Sequence, residues 1–261
     1  MYIISERING MFTAVKKAIA ARDQAAIREI ALRQLAAGAR ALDVNVGTAD
    51  DNQAEAMVWL VETVRGVTDA TLCLDSPKFD VIKAGAEAGR DNFIINSTTA
   101  RAVDLEKFLP LAAKCGAGII ALTLDENGVP NSVDGRVEIA ARILLAAQEA
   151  GIPPGRIYLD PLTLPINVAQ DQPKKMLAAI SQFRLLSDPP PHVLIGLSNL
   201  SQGTTEKSLL NSAFLAMAMG AGLDAVILDP EDRLLMDIMI TGEILLNNVI
   251  YNDDYLKAWR A

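Results

Sequence analysis

The chain is expected to fold as an α/β (β/α)8 TIM barrel, one domain over residues 1–261. Three observations carry that expectation. Short apolar runs alternate with helical patterns eight times within 261 residues, the size and rhythm of that fold. Along the runs, Asp43 and Asn45, and likewise Thr71, Cys73 and Asp75, share one face, while Leu42 and Val44, and Leu72 and Leu74, share the other. A mixed face suits a barrel interior and an aliphatic face suits packing under helices. Finally, no Gly-x-Gly-x-x-Gly turn or phosphate loop follows the first run, which disfavours the runner-up, a doubly wound nucleotide-binding sheet.

Tyr2 to Ser5 is the first apolar run, reaching charge at Glu6 and Arg7, and helical periodicity follows from Ala14 to Ala37 with a break near Arg22 and Asp23. Ala41 to Val46 is the second strand, with Ala54 to Arg65 as its helix. Thr71 to Leu74 ends at Asp75, before a helix from Lys78; Phe93 to Ile95 ends at Asn96, before a helix from Asp104 to Lys114. Gly118 to Leu124 is the fifth strand, followed by a helix from Arg136 to Ala150. Arg156 to Leu159 ends at Asp160 and Pro161, and Pro173, which suits the first turn of a helix, opens one running to Leu186. His192 to Leu197 is the seventh strand, Leu209 to Met219 its helix. Ala225 to Leu228 ends at Asp229, and a helix from Glu231 to Asn248 follows.

Composition narrows the partners. A net charge of −8 disfavours nucleic acid or an anionic membrane and leaves a small molecule or another protein. No apolar segment is long enough to span a bilayer, and charge at Glu6 comes too early for a signal peptide, so a cytoplasmic location is expected. Cys73 and Cys115 have no paired spacing and read as reduced core cysteines. With those and one histidine, His192, a zinc or cysteine-rich site is hard to assemble; oxygen-ligated ions stay open, and no metal is expected to be bound by this chain.

Function is expected where buried strands turn polar, because ligands of parallel α/β proteins bind at the strands' carboxyl ends. Asp75, Asn96, Asp160 and Asn199 end the third, fourth, sixth and seventh strands and in a barrel converge on one mouth. Any one alone reads better as a turn or helix cap; four together read as a binding array. Ionised carboxylates flanking an amide suit an uncharged heterocycle presenting adjacent N–H donors and a carbonyl. Asp75 and Asp160 also remain open as an acid and base pair of the glycoside-hydrolysis kind.

Glu-Arg-Ile-Asn-Gly at Glu6 to Gly10, Asp-Val-Asn-Val-Gly at Asp43 to Gly47, Cys-Leu-Asp-Ser at Cys73 to Ser76, Ile-Asn-Ser-Thr at Ile95 to Thr98, Asp-Pro-Leu at Asp160 to Leu162 and Gly-Leu-Ser-Asn at Gly196 to Asn199 together resemble the pterin-binding methyltransferases. Among these the resemblance is to the enzymes that pass the methyl group of methyltetrahydrofolate to a corrinoid/iron-sulfur protein in the acetyl-CoA pathway. It implies a homodimeric barrel in which Asp75, Asn96 and Asp160 hold the pterin ring and Asn199 contacts the methyl-bearing nitrogen. Gly196, Ser198 and Gln202 match the pocket lining, and Lys207 stands where it can meet the folate's glutamate tail. The spacing around His192 does not match the histidine-ligating corrinoid motif, so the corrinoid (cobalamin) is expected on the partner, and His192 is expected to be structural.

Three rivals stand beside this expectation. One is a related methyltransferase running towards tetrahydrofolate with another corrinoid protein, and another is a non-catalytic folate-binding barrel. In the third, dihydropteroate synthase, a basic Ser-Arg-Lys element stands where this chain has Ser198-Asn199-Leu200, which argues against a diphosphate leaving group.

Overall fold

Eight parallel strands pair in sequence order and close on themselves in a computed structural model that describes residues 1–89 and 91–260. They are β1 (Tyr2–Asn9), β2 (Ala41–Asn45), β3 (Thr71–Asp75), β4 (Phe93–Thr99), β5 (Gly118–Leu122), β6 (Ile157–Asp160), β7 (His192–Gly196) and β8 (Ala225–Leu228). The helices between and after them are α1 (Thr13–Ala20), α2 (Gln24–Ala36), α3 (Gln53–Arg65), α4 (Phe79–Gly89), α5 (Ala102–Cys115), α6 (Val133–Glu149), α7 (Gln172–Phe183), α8 (Lys207–Gly220), α9 (Arg233–Leu245) and α10 (Tyr255–Arg260). This is a single-domain TIM barrel.

The two faces separate as their alternation predicts. Leu42, Val44, Leu72 and Leu74 join the layer between barrel and helices. Ile4, Ala41, Cys73, Ile94, Ile120, Tyr158, Leu194 and Ala225, one from each strand, fill the barrel itself. Small residues, Ala41, Cys73 and Ala225, stand among larger ones in this layer, the mixture of sizes that fills a small barrel. Below them, at the amino ends, the His192 ring stacks on Tyr158 with centroids 4.7 Å apart. Its Nδ1 lies 2.9 Å from Asp224, which also pairs with Arg184 at 2.8 Å. His192 is therefore part of the floor, as expected. Both cysteines are free, Cys73 buried and Cys115 half-buried.

Several boundaries differ from the sequence reading, for local reasons. β1 does not stop at Ser5, because Ile8 is fully buried and resumes pairing with Val44 after a register shift. β4 runs past Asn96 to Thr99, since Thr98 and Thr99 pair with Ala121 and Leu122. β7 ends at Gly196, and Leu197–Asn199 form a 3-10 turn, so Asn199 lies beyond the strand it was expected to end. The break near Arg22 is real: Arg22 takes φ +52 and Asp23 caps α2 by accepting from Ala26 N–H. The helix expected to reach Asn248 stops at Leu245, with Asn247 at φ +60, an ordinary way for asparagine to end a helix. The six residues of α10 are too few to show a periodic pattern. Among the described residues no helix is long and apolar enough to cross a membrane.

At the mouth, the loops after β1 and β2 cross backbone to backbone. A Cβ on Gly10 would lie 1.9 Å from the Val46 carbonyl oxygen, and one on Gly47, itself at φ +56, would lie 2.9 Å from the Gly10 carbonyl carbon. Backbone cannot yield as a flexible side chain does. Gly10→Ala is expected to lower stability by about 3 kcal/mol or more; an unchanged denaturant midpoint would refute this crossing.

Candidate functional site

The carboxyl ends of β2, β3, β4 and β6 carry the acids and amides. Register sets their heights: Asp43 pairs with Cys73, Asn45 with Asp75, and Asp75 with Asn96. Strand alternation turns all of them inward, above the apolar filling. The Asn96 amide nitrogen donates to Asp43 Oδ1 at 3.0 Å, and the Asn45 amide nitrogen to Asp75 Oδ2 at 2.5 Å. Asn45 Oδ1 is itself taken by the Gly47 N–H at 2.6 Å. With its nitrogen held by Asp43, Asn96 presents its carbonyl as a further acceptor.

Asp160 ends β6, 7 % exposed. Its Oδ1 accepts the Leu162 N–H at 2.7 Å, holding Leu162 at φ +66, a conformation most side chains avoid. Behind it Arg136 is completely buried on α6. Arg136 donates from Nε to the Pro161 carbonyl at 2.9 Å and from Nη2 to Gln172 at 2.7 Å. The turn that aims Asp160 is thus fastened from inside.

Burial dominates the electrostatics. It pushes the Asp160 carboxyl up to about 7, against the Leu162 hydrogen bond and the Arg136 charge. Asp43 is raised well above its ordinary value, first by burial and then by the charge of Asp75. Asp75 is also raised by burial, opposed by hydrogen bonds with Asn45 and Asp43. Glu6, on β1, is raised by burial despite accepting from Ser198 Oγ at 2.7 Å.

Asn199 contrasts with this fixed set. It is exposed on its 3-10 turn, and its side chain has no hydrogen-bond partner among the described residues. Its Nδ2 would stand 3.1 Å from a Cβ on Gly196, so the missing side chain at Gly196 makes room for it. Ser198 is tied to Glu6, and Gln202 follows, exposed, in the next turn. Lys207 begins α8 and lines a neighbouring cavity of about 340 Å3 with Glu6, Ser198, Asn211 and Asp229.

The structure therefore brings Asp75, Asn96, Asp160, Gly196, Ser198 and Asn199 to one end of the barrel. It sets Gln202 and Lys207 at that end's periphery. Sequence reading left Asp43, Asn45 and Glu6 out of the array, although Asp43 and Asn45 had been placed on the inward face. A larger groove of about 660 Å3, lined by Arg65, Asp69, Asp91 and Asn92, belongs to the loops preceding β3 and β4 and includes none of these residues. Among the described residues, no three His, Cys, Asp or Glu side chains are grouped to hold a metal ion.

A model of the pterin binding enzyme family matches residues 13–229. The chain belongs to that family. It is 32 % identical over its whole length to the methylcorrinoid:tetrahydrofolate methyltransferase of Eubacterium limosum, covering 96 % of that protein. It is also 32 % identical to methionine synthase of Mycobacterium leprae over 86 % of this chain but only 20 % of that one. Among solved structures, Yersinia pestis dihydropteroate synthase in a sulfonamide drug complex superposes with a TM-score of 0.72 over 94 % of both chains at 17 % identity, a likeness of fold alone.

The Asp160 shift makes a stability prediction. Between about pH 4, where an unfolded aspartate titrates, and about 7, where the folded one does, the folded state holds the extra proton. Its contribution is full below that window and is lost as pH rises through it, by roughly 4 kcal/mol. Asn at 160 can still accept the Leu162 N–H, so Asp160→Asn is expected to flatten this part of the curve and unfold at a higher temperature than the parent above pH 7. Parallel stability curves for the two proteins would contradict that buried proton.

Proposed function

We propose that the protein moves a methyl group between methyltetrahydrofolate and the cobalt of a corrinoid (cobalamin) carried by a separate protein. The observation that carries this reading is the pairing of a fixed array of acceptors with one unbound amide at the mouth of a pterin-family barrel. End-to-end similarity to a methylcorrinoid:tetrahydrofolate methyltransferase supports the reaction class.

In this reading Asp75 and the Asn96 carbonyl take the adjacent N–H donors of the pterin, and Asp160, titrating near neutrality, matches the remaining edge as donor or acceptor. Gly196, Ser198 and Gln202 line the pocket. Lys207, at the uncapped start of α8, adds to a helix terminus that itself favours anions and meets the glutamate tail. The corrinoid supplies the cobalt centre that exchanges the methyl group. As the carbon–nitrogen bond breaks, its electron pair stays on the pterin nitrogen, which must then carry a proton. Asn199 accepts from that N–H through its carbonyl or donates to the lone pair through its amide, without charge of its own. Asp160 belongs to the network that carries the proton. The same contacts serve both directions.

The corrinoid partner sets the net direction. A corrinoid/iron-sulfur protein takes the methyl group from the folate, as in the acetyl-CoA pathway; the name of the full-length relative favours transfer towards tetrahydrofolate. In both cases the proposed setting is a cytoplasmic homodimer. Mixing the protein with methyltetrahydrofolate and reduced cobalamin tests the reaction: methylcobalamin should form, binding without transfer would leave a folate-binding barrel, and absence of binding would end the reading. Rates in both directions with a captured native corrinoid protein decide the direction.

Asn199→Ala is expected to leave folate affinity near the parent value while slowing methyl transfer on the order of a hundredfold, the scale for a single donor that tightens in the transition state. Asp75→Ala should instead lose affinity first. Equal loss of binding and rate in Asn199→Ala would reassign it to holding the ring.

A further inference from the structure

We infer that Asp43 is a positioning residue beneath the ring site: it keeps its proton, donates it in a hydrogen bond to Asp75, and so leaves the pair with one negative charge, on Asp75. The identity of the ring rests on the function proposed above; the location of the proton does not.

Asp43 is 3 % exposed and stands over the apolar filling of Ala41, Cys73 and Ile94. Asp75 and Cys73 face it from β3, Asn96 from β4 and Glu6 from β1. No lysine, arginine or histidine is among them. The carboxyl groups of Asp43 and Asp75 are within hydrogen-bonding reach of each other, and two carboxyls in such contact, buried and with no cation facing them, do not both ionise. Surroundings decide which one keeps the proton. Asp75 receives the Asn45 amide at 2.5 Å and lies at the strand's open end. Asp43 is deeper, with the Asn96 amide at 3.0 Å. The anion is better supported on Asp75, and burial acts on Asp43 in the same sense.

The consequence is directional. A neutral Asp43 accepts from Asn96 on one oxygen and donates to Asp75 from the other. That keeps the Asn96 nitrogen turned inward, its carbonyl outward, and Asp75 purely an acceptor. Moving the proton to Asp75 would present a donor to the ligand where its N–H groups require an acceptor. Asp43 thus sets the polarity of the array without touching the ring.

Asparagine has the hydrogen-bonding pattern of a protonated aspartate, so Asp43→Asn is expected to keep methyltetrahydrofolate affinity within about threefold of the parent. Asp43→Leu, which strands Asn96 and Asp75, should lose about ten- to a hundredfold. Infrared difference spectra at about pH 8, above the Asp160 titration, should show a protonated-carboxyl stretch that vanishes in Asp43→Asn and persists in Asp160→Asn. That readout needs neither a folded Leu variant nor a ligand. A band untouched by Asp43→Asn, or an Asn variant that binds as poorly as Leu while melting like the parent, overturns the inference. The expected band in a protein that fails to bind methyltetrahydrofolate upholds the proton's place and overturns the functional reading instead.

Discussion

Acidic side chains set on an apolar floor inside a closed barrel are the constraint on which this structure turns. Every strand contributes a side chain to the barrel filling, and water is shut out from below. The polar groups one step higher must therefore satisfy one another. Asn45 serves Asp75, Asn96 serves Asp43, and the Leu162 N–H serves Asp160. Each such bond also fixes which atom faces the mouth, so desolvation and recognition have a common cause.

In the function proposed above, this frame would divide holding from reacting. The holders are part of strands, immobilised by ladder hydrogen bonds and by Arg136 behind the β6 turn. Asn199 sits on an exposed 3-10 turn with an unengaged amide, next to a glycine that leaves it space. In the proposed reaction the rigid acceptors would fix the ring, and the freer amide would follow a nitrogen whose protonation changes. Preorganisation thus belongs to the buried strand ends, Asp160 among them although it titrates near neutrality, and adaptability to the exposed turn.

The fold was legible because strand parity survives in the sequence. Cys73 between Thr71 and Asp75 already marks the inward face, and the structure uses it so. Asp75, Asn96 and Asp160 were legible as the first polar residues after apolar runs. Asp43 was not, because it is followed by Val44 and looks like an interruption inside a strand; only the register that sets it beside Cys73, under Asp75, reveals its partner. Boundaries depended on non-local pairing. Nothing near Glu6 signals that Ile8 will find Val44, and nothing after Leu197 signals a 3-10 turn. The proposed corrinoid partner lies outside what one chain encodes locally, and it rests instead on similarity to the Eubacterium limosum relative.

The contact of Gly10 with Val46 and Gly47 divides the rim unequally. Where two main chains touch, neither segment can lengthen, tilt or acquire a bulkier residue without carrying the other along, so that sector behaves as one stiff brace. Changes of length or bulk at the rim are thereby channelled to the arc formed by the segments following β5 to β7. That arc includes the turn bearing Asn199.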